Sequence, residues 1–220
     1  MTDAKPTLVI GNKAYSSWSF RPWIALRHAG VDFDEIVIPL DLPETRPSIL
    51  KHSPAGKVPV LIDNGLVVWE SIAILAHITE RWPDARLLPA DKDARSVCRS
   101  VAAEMHAGFS ALRKACPMNM RRVNPSRDRG VDVAEDVRRI TELWCDCRET
   151  HGAGGAFLFG HFTVADAMFA PVVSRFVTYA IATDPISEAY MEAVQALPAY
   201  QDWKAAAQDE PWVIDREEVD

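Results

Sequence analysis

Every strand signal in this chain lies ahead of Pro83, and beyond the proline-bearing connection to Asp91 the pattern is helical throughout. A chain that confines its β-branched runs to its first third must build one small sheet there. It then covers that sheet with its own helices and adds a separate helical layer. Thr7–Ile10 is a short β-branched run followed by Gly11 and a polar loop, after which Trp23, Ile24, Leu26 and Arg27 follow a helical spacing that Gly30 ends. Phe33–Leu40 is a second strand, so the opening is β-α-β with a right-handed crossover between parallel strands. The next stretch, Leu42–Ser53, holds Pro43 and Pro47 and leads into Pro54, which leaves room only for a short helix. Pro59–Ile62 and Leu66–Val68 flank Asp63-Asn64-Gly65, and Asn-Gly between such runs predicts an antiparallel hairpin. Ile72, Leu75, Ile78 and Trp82 then mark a helix that Pro83 stops. The order is βαβαββα over residues 1–83, and residues 92–220 form an all-helical domain with helices near 92–120, 131–151, 164–180, 187–196 and 198–208.

Composition removes several classes of function. A chain of 220 residues with 48% apolar residues can bury a sizeable core in one large or two small domains. Its net charge of −7 does not suit a surface that must neutralise phosphates, and the densest basic cluster (Arg121, Arg122, Arg127, Arg129) is cut by Pro125 and Asp128. Nucleic acid is therefore excluded as the expected partner. No apolar run approaches the roughly 20 residues of a membrane span, and the start of the chain reaches its strand without the apolar region of a signal peptide. The expected location is cytoplasmic, where Cys98, Cys116, Cys145 and Cys147 remain thiols. Neither they nor the six histidines stand at metal-ligand spacing, so no metal is expected. Gly152–Gly155 follows a helix rather than a strand and ends it, instead of cradling a nucleotide.

Three segments carry chemistry. In Tyr15-Ser16-Ser17-Trp18-Ser19-Phe20-Arg21-Pro22, the proline belongs in a first helical turn, which sets the cap no earlier than about Ser19 and leaves Ser16 and Ser17 in the loop ahead of it. From this segment alone two readings stand: hydroxyls that cap a turn, or donors that meet an anion at a helix N-terminus. Val58-Pro59 opens a strand where a missing N–H costs no ladder bond. Glu70-Ser71 opens a helix with an acid and a hydroxyl. Further on, Thr163-Val164-Ala165-Asp166 has the spacing of a capping box, with a weak staple because Phe162 faces only Ala167.

Taken together, these segments resemble the glutathione transferase family over nearly the whole chain, and the Ser-Ser-x-Ser loop is similar to the zeta class and its bacterial relatives. The resemblance implies a thioredoxin-like glutathione-binding domain followed by an all-α substrate domain, a likeness to homodimeric detoxification enzymes, and glutathione as cosubstrate with no metal. It makes Ser16 the hydroxyl donor to the glutathione thiol, with Ser17 one residue away as the alternative. It sets Val58 against the cysteinyl unit beside a cis Pro59, Glu70 and Ser71 at the γ-glutamyl end, and Lys57 near the glycyl carboxylate. It implies an electrophile pocket around Trp18, His106, Phe109, Arg113, Arg175 and Tyr179; Arg175 and Tyr179, one helical turn apart on one face, either receive an acidic substrate or form structural polar contacts. Zeta enzymes that isomerise maleylacetoacetate carry cysteine where this chain has Trp18, so the loop offers no thiol of its own. A non-catalytic binding module of the same fold is the alternative, which a complete tripeptide site disfavours. A disulfide reductase is disfavoured because the first cysteine is Cys98.

Overall fold

The computed structural model describes residues 4–220; Met1–Asp3, where the sequence reading of the leader begins, lie outside the described residues. Four strands form one mixed sheet in the order β2-β1-β3-β4. Strand β1 (Thr7–Ile10) runs parallel to β2 (Asp34–Val37) and antiparallel to β3 (Val60–Asp63), which turns back into β4 (Leu66–Trp69). Asn64 and Gly65 make that turn with φ of 50° and 83°, the positive values that a two-residue hairpin matched to the strand twist requires. Alternation along β1 divides the packing between the two faces. Leu8 and Ile10 join a core with α1 (Ser17–His28) and α3 (Ser71–Arg81), while Val9 packs with Ile38, Ile49 and Val60 under the short α2 (Thr45–Leu50).

The helical region comprises α4 (Lys92–Ala107), α5 (Ser110–Ala115), α6 (Val131–His151), α7 (Val164–Thr178), α8 (Pro185–Gln195) and α9 (Pro198–Asp209). Helix α7 is buried at every residue from Val164 to Phe176, so it is the axis around which α1, α4 and α8 pack. One apolar cluster runs continuously from the sheet through α1 into α7 and α9. No helix among the described residues is long and apolar enough to cross a membrane.

Two helix boundaries depart from expectation. The single helix predicted over 92–120 is two helices, because the chain breaks at Gly108 and Phe109. A Cβ on Gly108 would meet the Glu104 carbonyl oxygen at 2.9 Å, and Phe109 takes a left-handed conformation with φ of 59°. The restart leaves α5 N–H groups without helical partners, and Leu112 gives its own to the Asp136 carboxylate at 2.9 Å. Helix α1 begins at Ser17, with Ser16 as its cap, rather than at or after Ser19. Pro22 is thus inside the helix, which forgoes the bond its N–H would give. The complete burial of Phe20 and Ile24 on the same helix offsets that loss.

The capping box at the start of α7 forms as its spacing predicts. The Asp166 carboxylate accepts from the Thr163 N–H at 2.7 Å and the Thr163 hydroxyl at 2.8 Å, and also from the Leu158 N–H at 3.1 Å. Phe162 lies against His28 and Phe157. Burial lifts the Asp166 carboxyl to about 6, although these donors favour its charged form. Because that value lies above an unfolded aspartate's, the native state holds an extra proton between the two, and the associated stability is lost as pH rises through the folded value. The stability of the wild type relative to Asp166→Asn, measured by guanidinium unfolding, should therefore rise as pH is lowered from about 8 to about 5. Asp166→Ala, which strands buried donors, should lose about 3 kcal/mol near pH 8 and more as pH is lowered through the folded value.

Candidate active site

The first turn of α1 presents two serines in different bonding states. The Ser16 hydroxyl accepts the Ser19 N–H at 3.4 Å and donates to the Ser19 hydroxyl oxygen at 2.8 Å, which in turn accepts the Gly11 N–H at 3.1 Å. Ser17, the first helical residue, has a hydroxyl oxygen that accepts from the Arg175 guanidinium at 3.2 Å. Arg175 reaches it from α7, and its other nitrogens donate to the carbonyls of Cys116 at 2.9 Å and Pro171 at 3.3 Å. Burial, with the nearby charge of Arg113, lowers Arg175 to about 10, so it stays cationic at neutral pH.

Trp18 lies among cations. The Arg21 guanidinium sits 4.2 Å from its ring centroid and that of Arg113 5.3 Å, while the His106 ring meets it edge-on at 5.2 Å. Arg21 is completely buried, donating to the carbonyls of Met168 and Ser17. Burial pushes it well below its ordinary value, and the charges of Arg175 and Arg113 push in the same direction. Burial also lowers His106, whose Nε2 stands 4.0 Å from the Glu70 carboxylate, so the imidazole is neutral at pH 7 and the pair is not an ion pair.

On the sheet side, the Val58–Pro59 peptide bond is cis. Glu70 caps α3 with φ of 67°, a conformation that costs a non-glycine residue of order 1 kcal/mol, and it leaves its own carboxylate half exposed. The next residue, Ser71, is 1% exposed, and its hydroxyl has no partner among the described residues. A buried hydroxyl left unsatisfied costs about 1–3 kcal/mol. It opens on a cavity of 260 Å³ bordered by Trp18, Lys57, Val58, Pro59, Glu70 and His106. A second cavity, of 600 Å³, is bordered by Ser16, Ser17, Arg113 and Arg175, and it shares Trp18, Lys57 and Val58 with the first. The two form one groove from the start of α3 to the start of α1.

Residues 15–81 match the family described as Glutathione S-transferase, N-terminal domain. The chain is 28% identical over 203 residues to a glutathione S-transferase zeta class of Euphorbia esula, covering 90% of this chain and 89% of that one. It is 35% identical over 111 residues to maleylacetoacetate isomerase of Pseudomonas aeruginosa, covering 49% of this chain and 52% of that one. Residues 15–81 are thus similar to the N-terminal domain of glutathione S-transferases, and the likeness that spans most of the chain is to a zeta class member. Solved structures share its fold. A glutathione transferase homologue from Burkholderia with bound glutathione superimposes with a TM-score of 0.68 at 23% identity, covering 94% of this chain and 99% of that one. A tau class glutathione S-transferase from mango gives 0.70 at 21% identity, covering 93% and 96%.

Within this transferase fold, the groove brings together Ser16, Ser17, Trp18, Lys57, Val58, Pro59, Glu70, Ser71, His106, Arg113 and Arg175. Two residues expected there do not border it. Phe109, whose left-handed turn starts α5, is buried near Phe169. Tyr179 is 1% exposed and donates its hydroxyl to the Pro117 carbonyl at 2.9 Å. Arg175 and Tyr179 do share a helix face, but that face packs on the segment after α5. Sequence reasoning also missed Tyr15, Met118, Arg216 and Glu217, which border the larger cavity. Tyr15 adjoins the serine loop and was within reach of that reading. Arg216 enters from the far end of the chain through its ion pair with Asp41, which no local pattern announces. Because the Ser71 hydroxyl is unpartnered, Ser71→Ala should leave stability unchanged or raise it by up to about 1 kcal/mol in denaturant titrations; a clear loss would mean that the hydroxyl bonds within the protein.

Proposed function

We propose that the chain binds glutathione in this groove and activates its thiol for conjugation to, or isomerisation of, a small electrophile. The observation that carries this reading is the buried, unpartnered Ser71 hydroxyl beside the Glu70 carboxylate at the N-terminus of α3, in a cavity continuous with the serine loop. An amino-acid end fits this arrangement: its ammonium pairs with Glu70, and its carboxylate takes the Ser71 hydroxyl and the first N–H groups of α3. The γ-glutamyl unit supplies that end. The cysteinyl backbone then lies along Val58 in the manner of an added strand, and Lys57, exposed at the rim, balances the glycyl carboxylate. This arrangement brings the thiol to the start of α1.

To be half ionised at pH 7, a thiol near 8.5 must come down about 1.5 units, equivalent to about 2 kcal/mol of preference for the thiolate. One hydroxyl of the Ser16–Ser17 pair and the helix N-terminus supply that much without any side chain acting as a base. The thiolate then attacks an electrophilic carbon in the larger cavity, beside Trp18, Arg113 and Arg175. Since Trp18 stands where a cysteine would be, the loop adds no second nucleophile. We read the protein as a cytoplasmic homodimer in detoxification, on the family likeness alone.

Calorimetry and turnover together test the reading. Glu70→Ala should weaken glutathione binding by about tenfold to a hundredfold, the loss of one charged hydrogen-bonded contact, with the fold intact. Wild type should accelerate thiol addition to at least one member of a panel of acidic and neutral electrophiles. Glutathione binding without turnover across the panel would mark a binding module instead.

A further inference from the structure

We propose that His106 is a positioning residue of the groove: neutral, it leaves the Glu70 carboxylate free for the γ-glutamyl ammonium, and protonated, it closes on Glu70 and competes with that ammonium. The inference rests on the glutathione reading and adds to it the helical domain's contribution to that end of the groove.

Of the residues that border the 260 Å³ cavity, His106 alone comes from beyond Pro83. It stands in the last turn of α4, with its ring edge-on to Trp18 at 5.2 Å and its carbonyl accepting from the Arg113 guanidinium at 3.2 Å. Its Nε2 is 4.0 Å from the Glu70 carboxylate. A hydrogen-bonded imidazolium and carboxylate approach to about 2.7–2.9 Å, so at the observed separation Glu70 keeps its lone pairs for another cation. Closing the gap takes a movement of about 1 Å, which the half-exposed Glu70 side chain can make.

The two states of the ring differ in what they can bond. An imidazolium carries a proton on each nitrogen. The Nδ1 of His106 is buried with no partner among the described residues, so a charged ring holds one unpaired N–H there and turns the other to Glu70. The charged groups around it are Arg21 on α1, Glu70 at the start of α3, Arg113 on α5 and Lys57 on the cavity border. Glu104, on its own helix, is taken by Arg139 at 2.8 Å. Burial is the largest influence on the ring and disfavours its charge; Glu70 opposes burial, and Arg21 and Arg113 add to it. At neutral pH the carboxylate is therefore left open. An ammonium bound at Glu70 disfavours the imidazolium further, so binding in mild acid expels the His106 proton, and affinity falls as pH is lowered.

The test is calorimetric titration with S-methylglutathione between pH 7 and pH 5. This probe has no thiol to ionise, and its ammonium and carboxylates keep their charges over that range. Wild type should lose about threefold to tenfold in affinity on acidification, with up to one proton released on binding, counted from titrations in buffers of different ionisation enthalpy. His106→Gln, which cannot be charged, should bind about as tightly as wild type at pH 7 and keep that affinity at pH 5. His106→Asn serves if the glutamine variant does not fold. The same probe without its α-amino group should bind weakly at pH 7 and no worse at pH 5. Asp166 and the other histidines are unchanged in His106→Gln, so a fall in affinity that persists in this variant belongs to them. That result, a constant affinity in wild type, or an equal fall with the deaminated probe overturns the inference while leaving the glutathione reading in place. Wild type that binds neither glutathione nor its S-methyl derivative overturns both.

Discussion

The contact between α1 and α7 is the constraint on which the rest of the structure depends. A helix buried on all sides, as α7 is from Val164 to Phe176, has no solvated face and owes its place wholly to its neighbours. The capping box sets where it starts, and its middle and end hold α1 through two arginines. Arg21 on α1 donates to the Met168 carbonyl on α7, and Arg175 on α7 donates to the Ser17 hydroxyl on α1. Aromatic packing extends the same contact to α9, where Phe20 and Trp23 lie against Trp203. The groove is the consequence, since its floor is the first turn of α1 and its walls come from the sheet on one side and α5 and α7 on the other.

Electrostatics divides the groove into two ends. At the start of α3 a carboxylate, an unpartnered hydroxyl and a helix N-terminus meet, which suits a group carrying both an ammonium and a carboxylate. At the start of α1 the neighbouring charges are guanidinium groups, two of them almost fully buried. Burying arginines without a carboxylate in contact is costly unless their N–H groups are satisfied; backbone carbonyls accept from two nitrogens of Arg21 and two of Arg175, and the Arg21 Nη2 has no partner among the described residues. Of these two, Arg175 borders the larger cavity, which Arg113 and Glu217 line as well. Neutral His106 lies between the two ends and adds no cation of its own.

What the sequence by itself determined was whatever depends on residues within a turn or two of one another. Asn64-Gly65 dictates a hairpin because few other residues accept two successive positive φ values, and the spacing of Thr163 and Asp166 dictates a cap because they meet at one helix turn. The βαβαββα order and the switch to helices after Pro83 follow from periodicity in the same way, as does the likeness of the Ser16, Val58 and Glu70 segments to one family. Tertiary structure decided everything whose partner is remote. Pro22 sits inside α1, because buried Phe20 and Ile24 outweigh a lost backbone bond, and the helix over 92–120 breaks at Gly108, where the α5 restart finds Asp136 on α6. Local spacing put Arg175 and Tyr179 on one face but could not say what covers that face: Tyr179 bonds Pro117, and Arg175 bonds Ser17, 158 residues away. Backbone conformation is encoded by neighbours in the chain, whereas the remote side chains that two adjacent serines meet depend on how the core packs against them.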